Sequence, residues 1–361
     1  MTQQRNEALW IVGTSVSIED GGYVTRLAAR AAKHGIALKN LSVGDQTSVM
    51  GCMRVLDRAG DIAPGDTVVW EYGLLDTLLI EESNLPAADI HKARRLAWRC
   101  VLECGANLVV LLTAPKRHLR KRSACERRIA HEAEALGLPC VDTRDLCTVL
   151  GIADAGSHYR DDRHPRKDSP LVDAMVEVMW ERVVAPKRLN RSAGLRHLRT
   201  KTGKHWRWIG AGALAQSSSV PLRRFDNSLL SIDAAALAVD ARLALPPLRR
   251  IIGVGCISAH DSGGLWCGHP RCMPASMRLP KELPYSFLLR ATTIPCLQMS
   301  VSQIICAPKH AYGCGAWADY GQVRCDSPGE IGVFGVLYET DELEHEGSWA
   351  RLYSYLQAIF R

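Results

Sequence analysis

The 361-residue chain has no long apolar run. Its strongest candidate, Leu108-Val109-Val110-Leu111-Leu112, is far too short to cross a membrane and reads as a buried strand. Met1 to Trp10 lack the basic-then-apolar layout of an export signal. There is no internal repeat, which argues against a solenoid or propeller. Cysteine is not scarce, but the thirteen cysteines are odd in number and irregularly spaced. They suit a reducing, cytoplasmic setting better than a disulfide framework. An excess of one charge is also missing: the net +7 suits an anionic substrate or surface without announcing nucleic acid. A composition of 47% hydrophobic and 23% charged residues is that of a globular protein, so disorder is not expected.

The length suits two domains. In the first half, apolar strands alternate with helices: strands at Leu9 to Val12, Ile36 to Val43, Thr67 to Tyr72, Asn107 to Thr113 and Pro139 to Asp142, with helices between and a last one over Leu171 to Val184. This alternation predicts a parallel sheet with helices on both faces, and ligands of such sheets sit beyond the carboxyl ends of the strands. A basic stretch, residues 186–205, reads as a linker. Residues 206–361 alternate short β-like runs (Ser228 to Ile232, Ala236 to Leu243, Arg250 to Ser258, Tyr285 to Thr292, Ser300 to Cys306, Glu330 to Tyr338) with Pro, Gly and Asp clusters. They suggest a β-sandwich or jelly roll, closed by a helix over Trp349 to Phe360.

Three short stretches carry chemistry. Ser15 lies in Gly13-Thr14-Ser15-Val16-Ser17, Gly44 ends Asn40-Leu41-Ser42-Val43-Gly44, and Asp161-Asp162-Arg163-His164 precedes the last helix of the first half. A serine becomes a nucleophile when an imidazole removes its proton, and a carboxylate fixes the imidazole tautomer. One tight loop can present His164 with Asp161 as its partner, while Asp162 is the competing orienter. A glycine at 44 lets its N–H approach a developing oxyanion. Glu71 and Asp76 are expected to bond loop backbone rather than to react.

These blocks resemble the SGNH (GDSL-like) hydrolase family over about residues 8–184. Gly13-Thr14-Ser15 stands where that family has Gly-Asp-Ser, Asn40 to Gly44 is similar to its second block, and Glu71-Tyr72-Gly73-Leu74-Leu75-Asp76 to its third. The resemblance implies a flavodoxin-like three-layer α/β domain over 1–185 and a β-rich accessory domain over 206–361. It also implies Ser15 as nucleophile, His164 as base and Asp161 as its partner, with Ser15 and Gly44 as oxyanion donors and no cofactor. Leu75 stands where the family has the asparagine that donates to the oxyanion. Leucine cannot donate, so Asn40 and Gln46 become the candidate substitutes. The expected function is a serine esterase or O-acyltransferase acting on a small acyl ester, acetyl on a bacterial polysaccharide or its precursor. Two alternatives stand beside it: a catalytically impaired module that binds glycan or protein, and a polyanion binder using the basic stretch.

Other groupings point elsewhere. Trp266, Tyr312, Trp317 and Tyr320 could form a sugar-stacking platform or a β-sandwich core. Cys256, His260, Cys267, His269 and Cys272 match no common zinc module, so no metal is expected. The run Lys116 to Arg122 reads as a solvated loop, or as a holder of an anionic substrate.

Overall fold

The computed structural model describes residues 7–83, 85–152, 155–184, 198, 205–228, 230–246, 248–266, 275–278, 286–292, 303–307 and 329–340. Its first sheet is parallel, in the order β2-β1-β3-β4-β5, from β1 (Ala8–Gly13), β2 (Ala37–Asn40), β3 (Thr67–Glu71), β4 (Asn107–Leu112) and β5 (Cys140–Asp142). Alternation along β1 sends Leu9 and Ile11 to one face and Trp10 and Val12 to the other. Both faces are buried, as the near-continuous apolar strands require. One face is covered by α2 (Tyr23–Lys33) and α8 (Pro170–Val184), the other by α3 (Ser48–Asp57), α5 (Ala87–Glu103) and α6 (Ala124–Ala135). This is the expected flavodoxin-like three-layer arrangement.

Two helices escape the sequence pattern. α4 (Gly73–Ser83) starts right after β3, and α7 (Thr143–Val149) right after β5. Leu74, Leu75, Leu78 and Leu79 of α4 are all buried, so its residues lack the single apolar stripe that marks a surface helix.

The later residues form two antiparallel sheets, in keeping with a β-rich second domain. One runs β13-β10-β15-β8-β7, with β6 also pairing β15, and the other runs β12-β11-β14-β9. The larger contains β6 (His205–Gly210), β7 (Leu222–Asp226), β8 (Ser231–Leu237), β10 (Arg250–Ala259), β13 (Phe287–Thr292) and β15 (Ile331–Thr340). The smaller contains β9 (Arg242–Ala244), β11 (Gly264–Trp266), β12 (Ala275–Ser276) and β14 (Gln303–Ala307). The two share a core that includes Val254, Cys256, Val333 and Val336 from the first and Leu243, Leu265 and Ile304 from the second. A strand expected over Ala236 to Leu243 is corrected: the chain turns at Asp240, whose φ is +64°, and Arg242–Ala244 joins the other sheet. Helix α9 (Ala211–Ser218) and strand β7 were not foreseen. The expected helix at Trp349 to Phe360 lies outside the described residues, as does most of the basic stretch. Leu198 within that stretch is buried in the core.

The larger sheet buries its other face against the helices of the α/β part. Ile252, Ile257, Phe287, Leu289, Phe334 and Leu337 join Val49, Met50, Met53 and Trp98 in one apolar cluster. A Cβ on Gly255 would sit 2.7 Å from the Phe334 ring and 3.4 Å from the Met53 sulfur, a measure of how closely the β-sheet rests on α3. Arg250 adds a two-pronged ion pair to Asp89 at 2.8 and 3.0 Å. Among the described residues no helix is long and apolar enough to cross a membrane.

A core shared in this way should unfold as one unit. Phe334→Ala removes a ring buried between α3 and the β-sheet, which typically costs about 3–5 kcal/mol. Calorimetry is expected to show one transition that moves down in temperature as a whole. Two resolved transitions, with only the later one shifted, would contradict a common core.

Candidate active site

The site begins where β1 ends. Gly13 is followed by a single helical turn, α1 (Ser15–Ile18), placing Ser15 half-buried at the carboxyl end of the sheet. The Asp161–His164 loop meets it there. His164 Nε2 lies 2.8 Å from Ser15 Oγ, and His164 Nδ1 lies 2.9 Å from both carboxylate oxygens of Asp161. An Nδ1–H that donates to the carboxylate leaves Nε2 as the acceptor for the serine hydroxyl. Asp161 also accepts the backbone N–H groups of Arg163 and His164, each at 2.8 Å. Partial burial raises its pKa, but these three donors and the imidazole charge outweigh that and hold it at about 2. A carboxylate so stabilised stays ionised throughout the range in which imidazole works.

Asp162, the competing orienter, is turned away. Its carboxylate accepts the Arg117 N–H at 3.2 Å and lies 3.7 Å from the Arg117 guanidinium. The basic run is thereby met by acids: Arg117 pairs with Glu82 at 2.6 Å, His118 with Glu81 at 3.1 Å and Arg122 with Asp142 at 2.7 Å.

Gly44 faces the serine. A Cβ there would sit 3.8 Å from Ser15 Cβ and 3.3 Å from Ile18 Cδ1. The next residue, Asp45, has φ of +51°, a conformation aspartate tolerates better than most. Its carboxylate lies 3.3 Å from the Arg163 guanidinium, which ties the glycine loop to the histidine loop.

Asn40 and Gln46, the proposed replacements for the absent donor, are placed differently from that expectation. The Asn40 amide donates to Ser17 O at 2.8 Å while its oxygen accepts Ser42 N–H at 3.0 Å. The Gln46 amide donates to Asp45 O at 2.8 Å, and its oxygen accepts Ala291 N–H from β13 at 2.9 Å. Both carboxamides are engaged in bracing loops. Leu75 is fully buried beside Val16 and Leu78 in the apolar cluster under α1. Trp266 packs partly buried against the sandwich core. Tyr312, Trp317 and Tyr320 lie outside the described residues, as do Cys267, His269 and Cys272. Cys256 is buried in that core, and His260 follows it at the end of β10. Among the described residues no group of three metal-ligating side chains gathers.

Two buried acids bond loop backbone, as expected of Glu71 and Asp76 from the sequence. Asp76 accepts Ser48 N–H at 2.7 Å and the Ser48 hydroxyl, and burial outweighs these bonds to push it up to about 6. Glu71, the last residue of β3, is fully buried. One of its oxygens, Oε2, accepts Thr14 N–H and the Thr14 hydroxyl at 2.9 Å and the Ser17 hydroxyl at 3.0 Å. The same Ser17 hydroxyl lies 2.6 Å from Tyr23 OH. Burial raises the Glu71 carboxyl to about 7 against these donors. Only glycine fits at 13, where a Cβ would stand 2.3 Å from Ser17 Oγ and 2.9 Å from Glu71 Oε2.

No family model and no curated protein matches the sequence. Among solved structures, a two-domain esterase active on acetylated mannans, crystallised with mannopentaose, matches 94% of this chain and 92% of its own, at 9% identity and a TM-score of 0.53. TesA matches 50% of this chain and 99% of its own, at 22% identity and a TM-score of 0.39. A Bacillus subtilis protein, YxiM, matches 50% of this chain at 18% identity and a TM-score of 0.41; the match spans 58% of that protein's length. The three-layer α/β part and the β-rich part that follows it thus share their fold with the two-domain esterase.

Glu71 should leave a mark on stability. Its pKa is about 7 in the folded chain against 4.5 ordinarily, so stability is full below about pH 4.5 and falls as pH rises to about 7, by on the order of 3 kcal/mol. Denaturant titrations between pH 4.5 and 8 should show Glu71→Gln lacking this decline. Identical pH curves for the two proteins would count against a buried, titrating acid.

Proposed function

We propose that the chain is a serine esterase or O-acyltransferase that acts on a small acyl group, acetyl on a polysaccharide or its precursor. The observation that supports it most is the unbroken hydrogen-bonded line from Ser15 Oγ through His164 to Asp161. In this reading Ser15 Oγ attacks the ester carbonyl while His164 Nε2 takes its proton. Asp161 stabilises the imidazolium that forms. The N–H groups of Ser15 and Gly44 face the oxyanion of the tetrahedral intermediate. His164 then returns the proton to the departing alcohol, leaving an acyl-serine. Water or a sugar hydroxyl resolves it, by hydrolysis or by transfer.

The glycan part of the proposal draws on the likeness to an esterase active on acetylated mannans across 94% of this chain. A second reading follows from Leu75. Loss of one oxyanion donor costs on the order of a hundred- to a thousandfold in rate, so a binding module that retains the site's geometry without its speed is the rival.

The two readings separate on p-nitrophenyl acetate and a fluorophosphonate probe. The wild type should hydrolyse the ester and take the label on Ser15. Ser15→Ala and His164→Ala should each lose at least about a thousandfold in turnover. Asp161→Asn should lose on the order of a thousandfold, because the imidazole tautomer is no longer fixed, whereas Asp162→Asn should stay within about threefold of wild type. A folded wild-type protein that neither hydrolyses nor labels would favour the binding module.

A further inference from the structure

Ser15 sits on a helix one turn long, and such a turn has almost no stability of its own. At its start Ser17 N–H donates to Thr14 O at 3.0 Å, and a helix of four residues has room for few bonds of its own. The residue before it offers no cap: the Thr14 side chain makes no capping hydrogen bond to the turn. Further bonds fix it from outside. Asn40 donates to Ser17 O at the far end. At the near end, Glu71 Oε2 accepts the Thr14 N–H, the Thr14 hydroxyl and the Ser17 hydroxyl together. Glu71 is in turn fixed by the sheet, since Gly13 and Glu71 are paired residues of neighbouring parallel strands.

We infer that Glu71 is a positioning residue for the nucleophile: by gathering three donors of the turn onto one buried oxygen, it holds Ser15 Oγ in line with His164 Nε2. The inference rests on the acyl-transfer reading for its consequence, but the clamp itself is independent of it. Glu71 touches neither Ser15 Oγ nor His164 in the described network, so its effect passes through Thr14 and Ser17. The groups that face its carboxyl are Thr14 and Ser17 from the turn, Tyr23 through Ser17, and Thr113 from the end of β4. Glu71 Oε1 and Thr113 Oγ1 each lack a partner of full hydrogen-bond geometry. A glutamine would therefore fit well. Its oxygen can face the turn and its amide can donate to Thr113 Oγ1. A leucine of similar bulk would leave the Thr14 N–H and hydroxyl buried and unanswered, and the Ser17 hydroxyl with Tyr23 OH alone.

The test compares full-length wild type, Glu71→Leu, Glu71→Gln and Ser17→Ala by kcat and KM on p-nitrophenyl acetate and by amide hydrogen exchange at Thr14. A nucleophile displaced by about 1 Å loses on the order of a hundredfold in rate. Glu71→Leu is therefore expected to lower kcat by about that factor with KM within about threefold, and to speed exchange at Thr14. Glu71→Gln should recover at least about a tenth of wild-type kcat, together with Thr14 protection. A folded Glu71→Leu protein with kcat within about threefold of wild type overturns the inference, as does a glutamine variant as impaired as the leucine. If the leucine variant does not fold, Ser17→Ala decides. Losing one of the three bonds should lower kcat about five- to tenfold at constant KM, and an unaltered kcat rejects the clamp. If the wild type hydrolyses no ester, the acyl-transfer reading fails and Thr14 exchange alone judges Glu71: faster exchange in the leucine variant upholds the clamp, unchanged exchange rejects it.

Discussion

The hydrogen bond between Ser15 and His164 joins residues 149 positions apart in sequence, and everything in the α/β part bears on keeping it short. Neither residue belongs to a long element. Ser15 rides on one helical turn, and His164 sits in a loop stiffened by Asp161, which bonds both the imidazole and the loop's own backbone. A carboxylate with so many donors is doubly useful. It stays ionised at any pH where imidazole is a base, and it makes loop shape and histidine orientation one property rather than two.

The loops are braced by polar groups placed beneath them, and these braces are buried acids that no basic side chain among the described residues contacts directly. Glu71 and Asp76 are each held by backbone N–H and hydroxyl donors, and burial pushes both pKa values upward. Such groups lower stability near neutral pH. Their placement at the end of β3 and in the first turn of α4, under the turn that carries Ser15 and under the start of α3, fits the pattern in which strain and buried charge gather at functional sites.

How much of this was legible in the sequence depends on the range of the interaction. Ser15, Gly44 and the Asp161–His164 pair could be read because each lies in a short block whose residue types the chemistry demands. The parallel sheet with helices on both faces followed from alternation of strand and helix. The choice of Asp161 over Asp162 was open in sequence, since both lie within reach of an imidazole; Arg117, 45 residues away, is what draws Asp162 aside. Asn40 and Gln46 were legible as polar residues near the site, but not in their tasks. Their partners, Ser17 O and Ala291 N, are backbone atoms, which leave no trace in residue type. Helix α4 stayed hidden for a related reason: burial on several sides removes the periodicity that betrays a helix.

The bond from Ala291 to Gln46 changes the meaning of the β-rich part. Gln46 is fully buried and lies two residues after Gly44, in the loop that faces Ser15. Among the described residues its oxygen is satisfied by a strand of the large antiparallel sheet, and that sheet also joins α3 in one apolar cluster. A module hung on a flexible linker would leave this loop's glutamine and this helix's Met50 and Met53 facing water. Here the cost of exposing them ties the two parts into one structure. The loop that carries Gly44 is thus shaped from both sides: by Arg163 of the histidine loop through Asp45, and by the β-sheet through Gln46. A change in the sheet near Ala291 therefore has a direct mechanical route to the glycine opposite Ser15.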